Sequence, residues 1–317
     1  YSGVWSLTAQ YQTAGEYNWP GMVPPISGSI GLFGGGGSNV IDYILIATAG
    51  NATDFGDMTI SSSYGAGCSS STRGILAASQ DTTIDSNVIN YVTINTTGNA
   101  LDFGDLTAPS DPIGACSSST RGIFSLGYLL SGGPAVSNRL DYITIATTGN
   151  ALNFGDLTVS RYYAAACSSS TRGIFAGGTP SGKSNIIDYV TIATTGNATD
   201  FGDLTIAKDN TSGCSNSTRG LFSGGTNSGA SQINVIEYIT IASTGNGTDF
   251  GDLLTTNYRS SSVASTTRGV IAGGGGGAPG NVIQYVTIAS TGDAIDFGDL
   301  TVVKAWASSC SNAHGGL

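Results

Sequence analysis

Six copies of one unit restrict this chain more than any other feature does. The clearest copy runs from Asn185 to Arg219, NIIDYVTIATTGNATDFGDLTIAKDNTSGCSNSTR. Its tyrosine returns as Tyr43, Tyr91, Tyr142, Tyr189, Tyr238 and Tyr285. The glycine of its FGD triplet returns as Gly56, Gly104, Gly155, Gly202, Gly251 and Gly298, and both series are spaced by 48, 51, 47, 49 and 47 residues. Length changes therefore fall in the loops that complete each period, not between the tyrosine and FGD. Such a unit buries its apolar face by stacking on its neighbours, so the 317 residues form one array although that length could hold two domains.

The units read as strands. The chain has 48 glycines, and its only glutamates and lysines are Glu16, Glu237, Lys183, Lys208 and Lys304, a poor basis for helices. Low charge with many Gly and Ser suits disorder, but alternating apolar runs of Val, Ile, Thr and Tyr argue for a folded array. Each unit offers four strands. The first is a small-residue run such as Ala166-Cys167-Ser168-Ser169, and a turn with Thr-Arg-Gly leads to the second, such as GIFAGG. The third, Ile186 to Ile192, is partly apolar on both faces and should be covered on both. The fourth, Asp200 to Ile206, carries the FGD glycine, which suggests a bulge or a close backbone approach.

Four short antiparallel strands per unit predict an all-β fold, a six-bladed β-propeller over residues 30–317. The cut repeats run about 30–72, 73–120, 121–171, 172–218, 219–267 and 268–313. A parallel β-solenoid is the rival, with coils about half this long. The first copy starts with its second strand, and the chain ends with Ser308-Ser309-Cys310-Ser311-Asn312, a first strand with no blade after it. The N- and C-terminal strands are thus predicted to pair, residues 308–312 with 31–35, closing the ring and hiding both edges. Residues 1–29 stand outside the repeat as an arm or anchor segment.

A strand ending in a glycine pair, then a strand carrying a tyrosine, as in Gly177-Gly178 and Tyr189, resembles the kelch-type propeller over about residues 30–313. The tryptophan of that family is absent, with Phe55, Phe103, Phe154, Phe201, Phe250 and Phe297 at a different distance. The opening GVWSLTAQYQ and the wording of the repeat also resemble virion proteins of tailed bacteriophages. That likeness implies a fibre, tip or decoration protein, in a virion or extracellular setting and in many copies.

The net charge of −10 weighs against nucleic acid and against an anionic membrane surface. No run of 18 apolar residues predicts a membrane span. The chain opens at Tyr1, so a leader removed before it is compatible with the sequence. Cys68, Cys116, Cys167, Cys214 and Cys310 share one repeat position, and Val263 holds the sixth, which describes a small buried apolar slot. No paired His or C-x-x-C points to a metal, and the D-F-G-D carboxylates lack the spacing of a calcium loop, so no metal or cofactor is expected. Arg73, Arg121, Arg172, Arg219 and Arg268 repeat, as do the FGD aspartates, which reads as structural ion pairs or turn hydrogen bonds, with a ring of arginines gripping acidic sugars as the functional alternative. The only histidine, His314, sits near a frayed end, and repeated acids do not converge on one hydrolytic site, so no enzyme is expected.

The loops joining second to third strands and fourth to first strands vary in length and wording, and both sets should emerge at the same end. Tyr162, Tyr163, Tyr258 and Trp306 lie in them and are the candidate partner surface for a host-surface glycan. Trp5, Tyr11 and Trp19 are the candidate anchor to other virion or assembly subunits. The alternative is a purely structural virion or filament subunit held by residues 1–29, and a propeller glycoside hydrolase stands third.

Overall fold

The alternating Val, Ile, Thr and Tyr of each unit become strands in the computed structural model, which describes residues 25–79, 86–111, 114–130, 135–276 and 280–317. Trp5, Tyr11 and Trp19 lie outside the described residues. No helix occurs among the described residues, and six four-stranded antiparallel sheets do, an arrangement consistent with a β-propeller. Sheet I comprises Ser308–Ser311, Ile30–Gly34, Ser38–Leu45 and Thr53–Ser62. Sheet II comprises Tyr64–Ser69, Arg73–Ser79, Val88–Thr93 and Leu101–Asp105. Sheet III has Gly114–Ser117, Arg121–Ser125, Arg139–Thr144 and Leu152–Asp156. Sheet IV has Ala165–Ser168, Arg172–Ala176, Ile186–Thr191 and Thr199–Asp203. Sheet V has Ser212–Ser215, Arg219–Ser223, Val235–Thr240 and Thr248–Asp252, and sheet VI has Ser261–Ala264, Arg268–Ala272, Val282–Thr287 and Ile295–Asp299. A unit cut at 30–72 thus gives three strands to one sheet and its last strand to the next.

The two ends of the array meet in sheet I, where Gly31 pairs with Ser311 and Gly34 with Ser308. A turn that is covalent elsewhere is reproduced across this gap. Ile30 N donates to Asn312 Oδ1 at 2.8 Å, as Arg219 N donates to Asn216 Oδ1 at 2.8 Å within sheet V.

Neighbouring sheets are joined by contacts that recur with the repeat. The bulge falls in FGD: Ile187 pairs with Gly202 and Asp188 with Asp200, which leaves Phe201 unopposed. Gly202 has φ +144°, and a Cβ there would lie 2.5 Å from the Gly245 carbonyl oxygen, so only glycine lets the next turn dock. Gly245 N then donates to Phe201 O at 2.8 Å, and Asp203 N donates to Asn246 Oδ1 at 3.0 Å. The same bonds tie Gly50 to Phe297 and Asp299 to Asn51.

A second contact explains the cysteines. A Cβ on Gly122 would meet the Cys68 sulfur at 2.5 Å, and one on Gly31 would meet Val263 Cγ2 at 2.6 Å. The Arg-Gly glycine of one sheet is the seat for the Cys or Val of its neighbour. All five thiols are buried and free, and burial raises every one, Cys214 and Cys310 to about 12. Native protein should therefore resist alkylation at pH 8, and unfolding without reductant should expose five reactive thiols by mass. A disulfide in that mass, or rapid labelling of native protein, would contradict the slot.

The repeat arginines do not pair with the FGD aspartates among the described residues. Arg73 Nη1 instead donates to Ile145 O at 2.9 Å and Ala146 O at 3.0 Å in the adjacent sheet, while its guanidinium lies 4.6 Å from the Tyr91 ring centroid. Tyr91 in turn meets Phe103 edge-on at 6.1 Å. Arg268 makes the same contact to Ile46 O and Ala47 O, from sheet VI to sheet I. Of the two structural roles read from sequence, carbonyl hydrogen bonds are the one formed.

A further buried position had no expectation attached to it. The third strands place Asp42, Asn90, Asp141, Asp188, Glu237 and Gln284 at one site, each fully or almost fully buried. The chain entering each sheet holds Lys304, Ser62, Ser110, Arg161, Lys208 and Asn257 at one equivalent repeat position. Acid meets base in sheets IV, V and I: Arg161–Asp188 at 2.8 Å, Lys208–Glu237 at 3.3 Å and Lys304–Asp42 at 3.9 Å. Where the third strand carries an amide, in sheets II and VI, the equivalent entering position holds the neutral Ser62 and Asn257. In sheet III the entering position holds Ser110, and Arg139 supplies a cation to Asp141 at 3.4 Å.

Candidate functional site

Each first strand ends its approach at a central cavity of about 130 Å³, whose wall is built from the small first-strand residues of all six sheets. Small side chains are needed here because the strands converge. A Cβ on Gly67 would lie 2.4 Å from Ser309 O. Serine hydroxyls stitch the convergence: Ser117 Oγ donates to Ser69 O, Ser168 Oγ to Ser117 O and Ser215 Oγ to Ser168 O, at 2.9, 2.9 and 2.7 Å. Ser69 Oγ donates to Ser311 O and Ser311 Oγ to Ala264 O, at 2.8 and 2.7 Å. Ala264 is the one position of this series without a hydroxyl.

One mouth of the cavity is formed where the fourth-to-first connections enter. Tyr163, Asn210, Arg259 and Trp306 occupy equivalent repeat positions there, and all four have left-handed backbone, φ 60°, 52°, 64° and 54°. A non-glycine residue in that region costs about 1–3 kcal/mol. The conformation is held by neighbours: Asn210 N donates to Tyr163 O, Arg259 N to Asn210 O and Trp306 N to Arg259 O, at 3.0, 2.9 and 2.8 Å. Tyr64 holds the equivalent place in sheet II. Its ring lies 4.5 Å from Trp306 and 6.4 Å from Tyr163, and Tyr163 stacks on Trp306 at 5.9 Å with an interplanar angle of 22°. Trp306 Nε1 donates to Asn210 Oδ1 at 3.0 Å. Burial, then the charge and hydrogen bond of Tyr64, push the Tyr163 hydroxyl well above its ordinary value, so it stays a neutral donor.

The four aromatics expected from sequence do come together, though not as a flat patch. Tyr163 and Trp306 line the mouth. Tyr162 packs edge-on against Tyr163 at 4.6 Å and against Tyr128 at 5.8 Å. Tyr258 sits behind Arg259, whose guanidinium lies 4.5 Å from the Tyr258 ring and 3.8 Å from that of Trp306. Sequence reading missed Tyr64, Tyr128, Asn210 and Arg259. Counting the repeat spacings back from Tyr163 leads to Tyr64, and forward to Asn210, Arg259 and Trp306, so the signal was present. Both variable loop sets lie at this end, as expected: Lys208–Asp209 pairs with Thr226–Asn227, and Asn257–Tyr258 with Gly275–Gly276.

The opposite end is crossed by residues 312–317. His314 is packed there and not frayed: Nδ1 accepts from Gly316 N at 3.0 Å, so Nε2 carries the hydrogen, 3.2 Å from Ser69 O and 3.3 Å from Ser117 Oγ. The ring lines the cavity, and its burial lowers its pKa to about 4. This tautomer has no lone pair free to take a proton from Ser117. Among the described residues no cluster of His, Cys, Asp or Glu has the makings of a metal site, and no helix is long and apolar enough to cross a membrane.

Neither protein-family models nor the sequences of curated proteins give a match to this chain.

Proposed function

We propose that the six sheets are the blades of one closed propeller, and that the chain is a non-enzymatic binding module of an extracellular or virion assembly that takes a host-surface glycan at the aromatic mouth. The ring is supported by contacts that return to their start, Arg268 reaching Ile46 and Gly50 docking on Phe297. The virion setting rests on the likeness of the opening segment and repeat wording to tailed-phage proteins, with residues 1–29 joining other subunits. The observation that carries the binding reading is the mouth itself. Tyr64, Tyr163 and Trp306 are half-exposed flat rings, the last two on a backbone held in a costly conformation, beside hydroxyl and amide groups able to bond sugar hydroxyls.

A glycan-array and host-polysaccharide screen tests this. Wild type should bind, and the double variant Tyr163→Asn, Trp306→Asn should lose about tenfold or more, since each stacked ring contributes about 0.5–1.5 kcal/mol beyond its area. Asparagine tolerates the left-handed backbone and already stands at the equivalent Asn210. Equal binding by the double variant would sink the reading. The structural-subunit reading is favoured by one observation: the rings pack on each other at 4.5 and 4.6 Å, which satisfies them without a ligand. It prevails if wild type binds nothing while deletion of residues 1–25 abolishes incorporation into the particle.

A further inference from the structure

All eleven Lys and Arg residues lie within the described residues, and ten of them have a polar partner. Lys183, Lys208, Lys304, Arg139 and Arg161 are paired with carboxylates. The five repeat arginines donate to backbone carbonyls. Arg259 is the exception. Its guanidinium is held between the Tyr258 and Trp306 rings and has neither an ion pair nor a side-chain hydrogen bond, and its Nε is buried without a partner. The wall of the cavity it borders contains no Asp, Glu or Lys, and His314 at the far end is neutral. In a chain of net charge −10, the lining of the cavity thus carries one positive charge and no carboxylate, although Asp111 is near enough to act on the Tyr163 hydroxyl.

We infer that the mouth selects a sugar bearing a carboxylate, a uronic acid or another acidic hexose, with Arg259 gripping the carboxylate. This rests on the glycan reading of the same mouth. A guanidinium presents a planar fork that matches a carboxylate with two parallel hydrogen bonds, and stacking on two rings fixes its plane while leaving the edge free to donate. Tyr64 and Trp306 offer faces for the sugar ring, and the cavity behind them has room for on the order of ten waters, enough to receive part of a hexose.

Calorimetric titration with galacturonate and glucuronate oligosaccharides, against their neutral galactose and glucose counterparts, tests the inference. Wild type should bind the acidic form about tenfold or more tightly than the neutral one. Arg259→Asn keeps a residue suited to the left-handed backbone and should cut the ratio of acidic to neutral affinity to about twofold or less. Arg259→Lys keeps the charge without the fork and should retain only part of the preference. A melting curve for each variant shows that it is folded. Equal, Trp306-dependent binding of acidic and neutral sugars by wild type overturns the acidic preference and leaves the glycan reading intact. No binding of any sugar overturns both. Sodium phosphate or sulfate binding as tightly as the acidic sugar overturns the sugar class in favour of a bare anion site.

Discussion

Replacing Arg161 by serine should destabilise the protein by about 3–5 kcal/mol, because Asp188 would be left buried with its charge uncompensated. Both side chains have zero exposure, and Arg161 also donates to Ile186 O and Phe175 O. In a chain this long the loss corresponds to a fall in Tm on the order of 10 °C. The repeat supplies its own control. Sheet VI places Asn257 and Gln284 where sheet IV has Arg161 and Asp188, so the double variant Arg161→Asn, Asp188→Gln imports two neutral side chains that the fold already buries there, bonded to Gly273 O and Leu254 N. It should recover most of the loss, since a buried ion pair set against well-matched neutral groups is often close to neutral. Thermal and urea denaturation of the single and double variants decide it. A double variant as unstable as the single one would mean that the charges, not their matching, hold this position.

The features legible in the sequence were those that repeat along the chain. Strand existence, the FGD bulge, the cysteine slot and the pairing of residues 308–311 with 31–34 follow from period-two patterning and from counting half-units at the ends. Features that depend on the partner across a sheet boundary were hidden, because hydropathy patterning reports which face is buried and not what it meets. Arg73 was read beside Asp57 because both recur, yet its partners are carbonyls 72 and 73 residues away. The acid–base matching at Asp188 and Arg161 was visible in principle by aligning the six units position by position. The third strand reads as covered on both faces, but its patterning does not say that Asp188 meets a cation there.

The mouth was legible by half. Aromatics in variable loops mark Tyr162, Tyr163, Tyr258 and Trp306, but Arg259 reads as an ordinary surface charge until its two stacked rings and its lack of a carboxylate are seen. The left-handed backbone at Tyr163 and Trp306 had no sequence cue either, since glycine or asparagine would mark such a turn and only Asn210 does. His314 was taken for a frayed residue from its position alone. Its burial comes from Gly315 and Gly316, where added Cβ atoms would meet Asn216 O at 2.1 Å and Ser117 O at 1.8 Å.

Removing residues 307–317 should have an effect as large as that of any single change in this protein. The strand Ser308–Ser311 is the only partner of one edge of Ile30–Gly34, so its loss exposes a row of unpaired backbone groups on a fully buried apolar strand. It also removes Cys310 from its seat against Gly74, Ser309 from Gly67 and the Ser311 carbonyl from Ser69 Oγ, so sheet II loses its neighbour as well. Aggregation on expression, or loss of a cooperative melt, is the expected result. A circular permutant separates the missing pairing from the missing mass. Joining Asn312 to Gly28 and opening the chain between Lys304 and Ala305 turns the gapped contact of Ile30 N with Asn312 Oδ1 into the covalent turn found at Asn216 and Arg219. Every strand is then kept, while residues 1–27 and 313–317 are lost with the contacts of Ile26 and His314, so the permutant should still fold and melt cooperatively. A truncated chain with unchanged Tm, or a permutant that fails to fold while its parent does, would show that the pairing of the two ends is incidental to how the sheets are held together.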